Sequence, residues 1–159
     1  MKLWLVRHAE AVEATAFSGG DLERPLTPKG KRMAKRSFAR LARIRRGPDL
    51  IIHSEAIRAQ ETARLLASAF RIKTVREEPV LNPGCSFTAI RKVLKSCPPG
   101  VHGLALVGHE PDFSRAAAKW TSDGTLHLAL KKGGLIEIEI EDKSPPRLLA
   151  LIPPDLLAD

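Results

Sequence analysis

Two histidines and two arginines stand where apolar runs break off. Leu3-Trp4-Leu5-Val6 ends in Arg7 and His8, and Gly103-Leu104-Ala105-Leu106-Val107-Gly108 ends in His109. Arg58 follows a third run, Asp49-Leu50-Ile51-Ile52-His53, closely. A guanidinium is a planar fork of donors that fits a phosphate or carboxylate, and an imidazole serves as nucleophile or base near neutral pH. Brought to one point, the four side chains suit a phosphoryl group. The arginines neutralise its equatorial oxygens, one imidazole attacks phosphorus, and the other donates a hydrogen bond to the group in transfer. They suit a metal poorly, because no carboxylate or cysteine cluster accompanies the histidines, and no G-x-x-x-x-G-K-[ST] phosphate loop occurs. Neither a metal nor a cofactor is expected.

Such a site needs strands whose carboxyl ends lie side by side, where ligands collect in open α/β sheets. The three apolar runs read as buried strands. A short further strand is expected over Ile72 to Val75. Helices alternate with them. Thr27 and Pro28 form an N-cap and first helical position, Ala34, Phe38, Leu41 and Ala42 keep helical spacing, and Gly47-Pro48 stops the helix. Ala56, Ala59, Ala63, Leu66 and Phe70 line a second helix, Ile90, Val93 and Leu94 a third, and Phe113, Ala116, Ala117 and Trp120 a fourth that starts near Pro111. Ser18-Gly19-Gly20-Asp21 reads as a flexible loop beside the site. Toward the end, Leu126–Leu130 and Leu135–Ile140 flank Lys131-Lys132-Gly133-Gly134, the pattern of a hairpin. Ile136, Ile138 and Ile140 alternate with Glu137, Glu139 and Glu141, which predicts one buried and one wet face, and Arg147–Ile152 is a last strand. The expectation is a three-layer α/β/α sandwich with a largely parallel sheet and an antiparallel edge hairpin, built as a single domain over 1–159.

The chain carries a net charge of +8, yet the basicity is local. Nine cations and no acid lie between Pro28 and Arg46, so the remainder nets −1. One basic helix face, rather than a basic surface, argues against a nucleic-acid partner and suggests instead a solvated face or a dock for an acidic partner. No apolar stretch is long enough to span a membrane, and Cys85 and Cys97 make neither a metal pattern nor a disulfide framework. A cytoplasmic monomer is expected.

Four blocks in order resemble the histidine phosphatase superfamily. They are Leu5-Val6-Arg7-His8-Ala9-Glu10-Ala11, Arg24-Pro25-Leu26-Thr27-Pro28-Lys29-Gly30, Ser54-Glu55-Ala56-Ile57-Arg58-Ala59-Gln60-Glu61-Thr62-Ala63 and Val107-Gly108-His109-Glu110-Pro111. The short chain and the Val-Gly-His-Glu-Pro form are most similar to SixA-type phosphohistidine phosphatases. The resemblance implies a phosphoglycerate mutase-like fold and hydrolysis of protein phosphohistidine through a covalent intermediate on His8. Arg7, Arg58 and His109 would form the phosphate pocket, and Arg24 would either touch substrate or anchor the helix entry. The implied substrate is a phosphorylated protein, for example a histidine-containing phosphotransfer protein.

One departure concerns the general acid. Relatives that cleave phosphate esters carry an acidic residue after the third strand, and SixA-like proteins often have Glu before Leu-x-Pro. Here Val80 precedes Leu81-Asn82-Pro83, with Glu78 two residues earlier. An alkoxide leaving group needs a proton, whereas imidazole, with a pKa of ~6.5, needs far less help. Two other readings stand beside this one: a small-molecule phosphomonoesterase of the same superfamily, and a non-enzymatic docking module using residues 28–46.

Overall fold

Alternation along β1 (Lys2–Arg7) assigns each side chain to a layer. Leu3 and Leu5 point into one core with Leu104, Leu106, Ile136 and Ile138; Trp4 and Val6 point into the other with Ile51, Ala105 and Val107. The structure, a computed structural model, describes residues 1–157. Its sheet has six strands in the order β3-β2-β4-β1-β5-β6. β2 (Leu50–His53), β3 (Val75–Glu77) and β4 (Gly103–Gly108) run parallel to β1, whereas β5 (Leu135–Glu141) pairs antiparallel with both β1 and the edge strand β6 (Ser144–Ile152). Buried residues of α1 (Pro28–Ile44) and α2 (Ile57–Phe70) cover the Trp4 face, and those of α3 (Phe87–Lys95) and α4 (Asp112–Thr121) cover the Leu3 face. The expected three-layer architecture is therefore present.

Register sets the functional edge. Arg7 pairs with Gly108 and His53 with Val107, so the chain leaves three neighbouring parallel strands at His8, Ser54 and His109. Thr27 caps α1 as expected: its Oγ1 accepts the Gly30 N–H at 2.9 Å. The helix ends at Ile44, before Gly47.

Three expectations are corrected. The third strand begins at Val75 rather than Ile72, because Arg71 turns left-handed (φ 57°) and the Ile72 N–H bonds back to Ala67 O at 2.9 Å. Ile72 thereby caps α2 and packs on its core. The hairpin is not formed by 126–130 with 135–140. Both edges of β5 are taken, by β1 and β6, so 126–130 forms no strand and His127 lies outside the sheet. Lys131–Gly134 instead folds against the end of β1. Lastly, Glu137 is buried, not wet: it lies opposite Trp4, on the face that α1 covers.

The start of α1 touches the loop that follows His8. A Cβ on Gly30 would stand 2.1 Å from Glu10 O, which already accepts the Thr27 N–H at 2.9 Å. Gly30→Ala is expected to destabilise the fold by about 1–3 kcal/mol, an overpacking cost that urea denaturation would measure.

Candidate active site

Hydrogen bonds to three parts of the chain hold the end of β1 and the segment after it. The His8 N–H donates to Gly108 O at 3.0 Å, and Arg7 N–H to Gly134 O at 3.0 Å. Gly133 N–H returns a bond to His8 O at 3.0 Å, and Ala9 N–H donates to Thr62 Oγ1 on α2 at 3.0 Å. Thr62 in turn donates to the carbonyl of Arg58 at 2.7 Å. The strand end, the Lys131–Gly134 turn and the helix carrying Arg58 are thus tied together through His8 and its neighbours. Gly133 has φ 80°, a conformation that suits glycine.

Within that frame, His8 Nδ1 lies 2.7 Å from Ala9 O. A carbonyl only accepts, so Nδ1 carries the hydrogen and Nε2 keeps its lone pair. Burial is the main cause of a pKa pushed down to about 4; the Ala9 bond opposes it, and the charges of Arg58, Arg7 and Lys132 add to it. His8 is accordingly a neutral imidazole at pH 7, the state a nucleophile needs.

The His109 ring lies 5.2 Å from that of His8. Its Nε2 is 2.9 Å from Ser54 Oγ, whose hydrogen goes to Asn82 Oδ1 at 2.8 Å. Asn82 is oriented by Glu55, which gives its N–H to Oδ1 and takes Nδ2–H on its carboxylate. With the Ser54 proton committed, His109 Nε2 must be the donor. Burial, then the neighbouring His8 and Arg58, lower the His109 pKa to about 3.

Arg7 and Arg58 complete the cluster. Arg7 Nη1 donates to Leu130 O at 2.8 Å. Arg58 is buried and sends both terminal nitrogens to Asp21, one to its carbonyl and one to Oδ2 at 2.8 Å. The Nε of each arginine is buried without a hydrogen-bond partner among the described residues. An unsatisfied buried donor is costly, and an oxyanion would satisfy both. The exposed Arg58–Glu61 pair that helical spacing allows does not form; Glu61 bonds Leu26 N and Lys31 instead. Arg24 spans Asp21 Oδ1 and Val12 O, so it holds the 12–24 loop and approaches Arg58 through Asp21.

Several contributors were not apparent from residue type. Asp21 sits in a segment read as flexible; its one signal is an acid three residues before Arg24. Burial alone would raise its pKa, but hydrogen bonds and charge from Arg24 and Arg58 hold it below the usual carboxylate range. Ser54, Asn82 and Thr62 carry no chemical signature, and their roles come from long-range placement. Lys132, read as a surface turn residue, pairs with Glu13 at 3.3 Å and bears on His8. His53 is buried, with Nδ1 2.8 Å from Ser54 O. Glu78 has its carboxylate 4.0 Å from Arg76.

The sheet order and the layers define a phosphoglycerate mutase-like fold. It matches the protein histidine phosphatase SixA complexed with tungstate at a TM-score of 0.88, with 17% identity and 99% of each chain covered. The α-ribazole phosphatase from Shigella flexneri aligns at 0.75, with 21% identity and 97% of each chain. A protein from Picosynechococcus sp. (strain ATCC 27264 / PCC 7002 / PR-6) is 33% identical over 138 residues, covering 86% of this chain and 83% of its own. The model of the histidine phosphatase superfamily (branch 1) matches residues 3–82. The chain belongs to that superfamily, whose members are phosphatases.

The depressed histidines predict a pH dependence of stability. Unfolded imidazoles titrate near 6.5, whereas the folded ones take up protons only near 4 and 3. In between, the unfolded chain binds more protons, so stability is complete above about pH 6.5 and declines as pH falls toward 4. Thermal melts should show a lower Tm at about pH 5 than at about pH 7.5, and His8→Asn should lessen the difference.

Proposed function

We propose that this protein hydrolyses phosphohistidine on a protein substrate, with His8 as nucleophile. The observation that carries the reading is the charge state of the site. A neutral imidazole with a free Nε2 lies among guanidinium donors, and the carboxylate touching those donors, Asp21, is held ionised. An ionised carboxylate gives no proton to a departing alkoxide, while a phosphorylated imidazole leaves without that help. Similarity to the SixA fold supports the same choice.

In this reading the phosphoryl oxygens take the donors of Arg7 and Arg58, including both unpartnered Nε–H groups, and displace Asp21 from Arg58. His8 Nε2 attacks phosphorus as the substrate P–N bond breaks, and its electron pair stays on the leaving imidazole. His109 Nε2–H, held on Ser54 Oγ in the free site, is shared with an arriving equatorial oxygen and stabilises the charge that builds there. Water then attacks the phosphorus of phospho-His8, the N–P electron pair returns to Nε2, and inorganic phosphate departs. Ser54 and Asn82 act through His109 as positioning residues.

The test is phosphate release from a phosphohistidine peptide and from glycerol phosphate, an alkyl ester. The peptide should be turned over at least ~100-fold faster in kcat/KM, and His8→Ala should lose roughly 10³-fold or more. Comparable turnover of glycerol phosphate would overturn the phosphohistidine assignment in favour of a small-molecule phosphomonoesterase. Ser54→Ala removes one hydrogen bond to His109, about 0.5–1.5 kcal/mol, so kcat on the peptide should fall roughly 3- to 10-fold. KM should change little, and Ser54→Thr should restore most of the loss.

A further inference from the structure

α1 carries a stripe of cations that the site does not use. Lys29, Arg32, Arg36, Arg40 and Arg43 are spaced three, four, four and three residues apart. At 100° per residue they fall within an arc of roughly 80°, on the side of the helix away from Ala34, Phe38 and Leu41. All five are exposed. Lys29 reaches Glu10 at 3.3 Å, whereas Arg32, Arg36, Arg40 and Arg43 have no ion-pair partner among the described residues.

This is an uncompensated arrangement. Like charges three and four residues apart repel along a helix, and cations in its first turn oppose the dipole. Helix surfaces ordinarily relieve this with interleaved Glu, and here no acid occurs between Glu23 and Asp49. The stripe is also placed in relation to the site. It begins at Lys29, which touches Glu10 two residues beyond His8, and extends about 21 Å away from it at 1.5 Å per residue. A molecule seated on the stripe would therefore have one end at the candidate active site. The aromatic residue of the segment, Phe38, is buried, so the stripe offers no ring on which a nucleic-acid base could stack.

We propose that the exposed face of α1 is the docking surface for an acidic protein that bears the phosphorylated histidine. The proposal rests on the phosphohistidine reading given above and adds how the substrate is selected. Phosphate recognition alone does not distinguish one phosphohistidine from another. A row of cations leading from the phosphate pocket does, by favouring partners with acidic residues beside the modified side chain and by steering their approach.

The experiment compares a small phosphoramidate with two phosphohistidine peptides, one flanked by Glu and Asp and one by Ser and Gly. The readout is the ratio of peptide to phosphoramidate kcat/KM. In the native protein the acidic peptide should exceed the neutral one by ~10-fold or more at low salt, and the advantage should shrink as salt is raised. Arg36→Glu/Arg40→Glu should abolish the advantage. Lys92→Glu/Lys95→Glu on α3, which makes the same change in net charge, should retain it. An equal response to both peptides, or an advantage that survives reversal on α1, overturns the proposal. If no phosphorylated substrate is hydrolysed, the phosphohistidine reading fails instead. The dock is then tested by fluorescence anisotropy of the unphosphorylated acidic peptide, whose binding must still depend on Arg36 and Arg40. Reversal-sensitive binding of single-stranded RNA or anionic vesicles, without binding of that peptide, would assign the stripe to another polyanion and overturn the proposal.

Discussion

The bond between His8 Nδ1 and the carbonyl of Ala9 is the constraint on which the rest of the site depends. It selects the tautomer, and so decides that Nε2 is the nitrogen with a lone pair. A bond between neighbouring residues can do this only if the backbone between them cannot move. Three elements keep it still: β4 through Gly108, the glycine turn through Gly133, and α2 through Thr62. The same Thr62 holds the carbonyl of Arg58, so the candidate nucleophile and a phosphate-binding cation share one anchor.

Burial does the electrostatic work. Two imidazoles and two guanidiniums at the mouth of a sheet would repel one another if all were charged. The structure resolves this by desolvating both histidines until they are neutral, leaving charge on the arginines alone. Arg7 Nη1 is met by Leu130 O and both terminal nitrogens of Arg58 by Asp21, whereas their Nε groups have no partner among the described residues. An arriving phosphoryl dianion finds donors in place and repays the desolvation of the guanidiniums.

Basic charge is therefore divided between two surfaces with different tasks. Inside, guanidiniums are few, buried and geometrically fixed, which suits recognition of one group. Outside, the cations of α1 are many, exposed and adaptable, which suits attraction of a surface. The Lys29–Glu10 contact and the close approach of Gly30 to Glu10 join the two regions.

Residue order alone determined the layered α/β architecture, the parallel strands and four of the chemical groups. Apolar periodicity is a local signal, and His8, Arg58 and His109 each follow an apolar run directly or by a single turn. The capped start of α1 was legible for the same reason, since Thr27 and Gly30 are three residues apart. Tertiary structure decided what depends on distant partners. Glycine and charge patterns around 131–134 resemble a hairpin turn, but β1 and β6 already occupy both edges of β5, so that turn serves His8. Asp21 looks mobile until Arg24, three residues on, and Arg58, 37 residues on, claim it. Ser54 meets His109 only because β2 and β4 are neighbours, and Asn82 joins them through Ser54. The spacing of residues reports what a helix or strand can do by itself; which donor meets which acceptor is settled only when the sheet order and its register bring separate strand ends together.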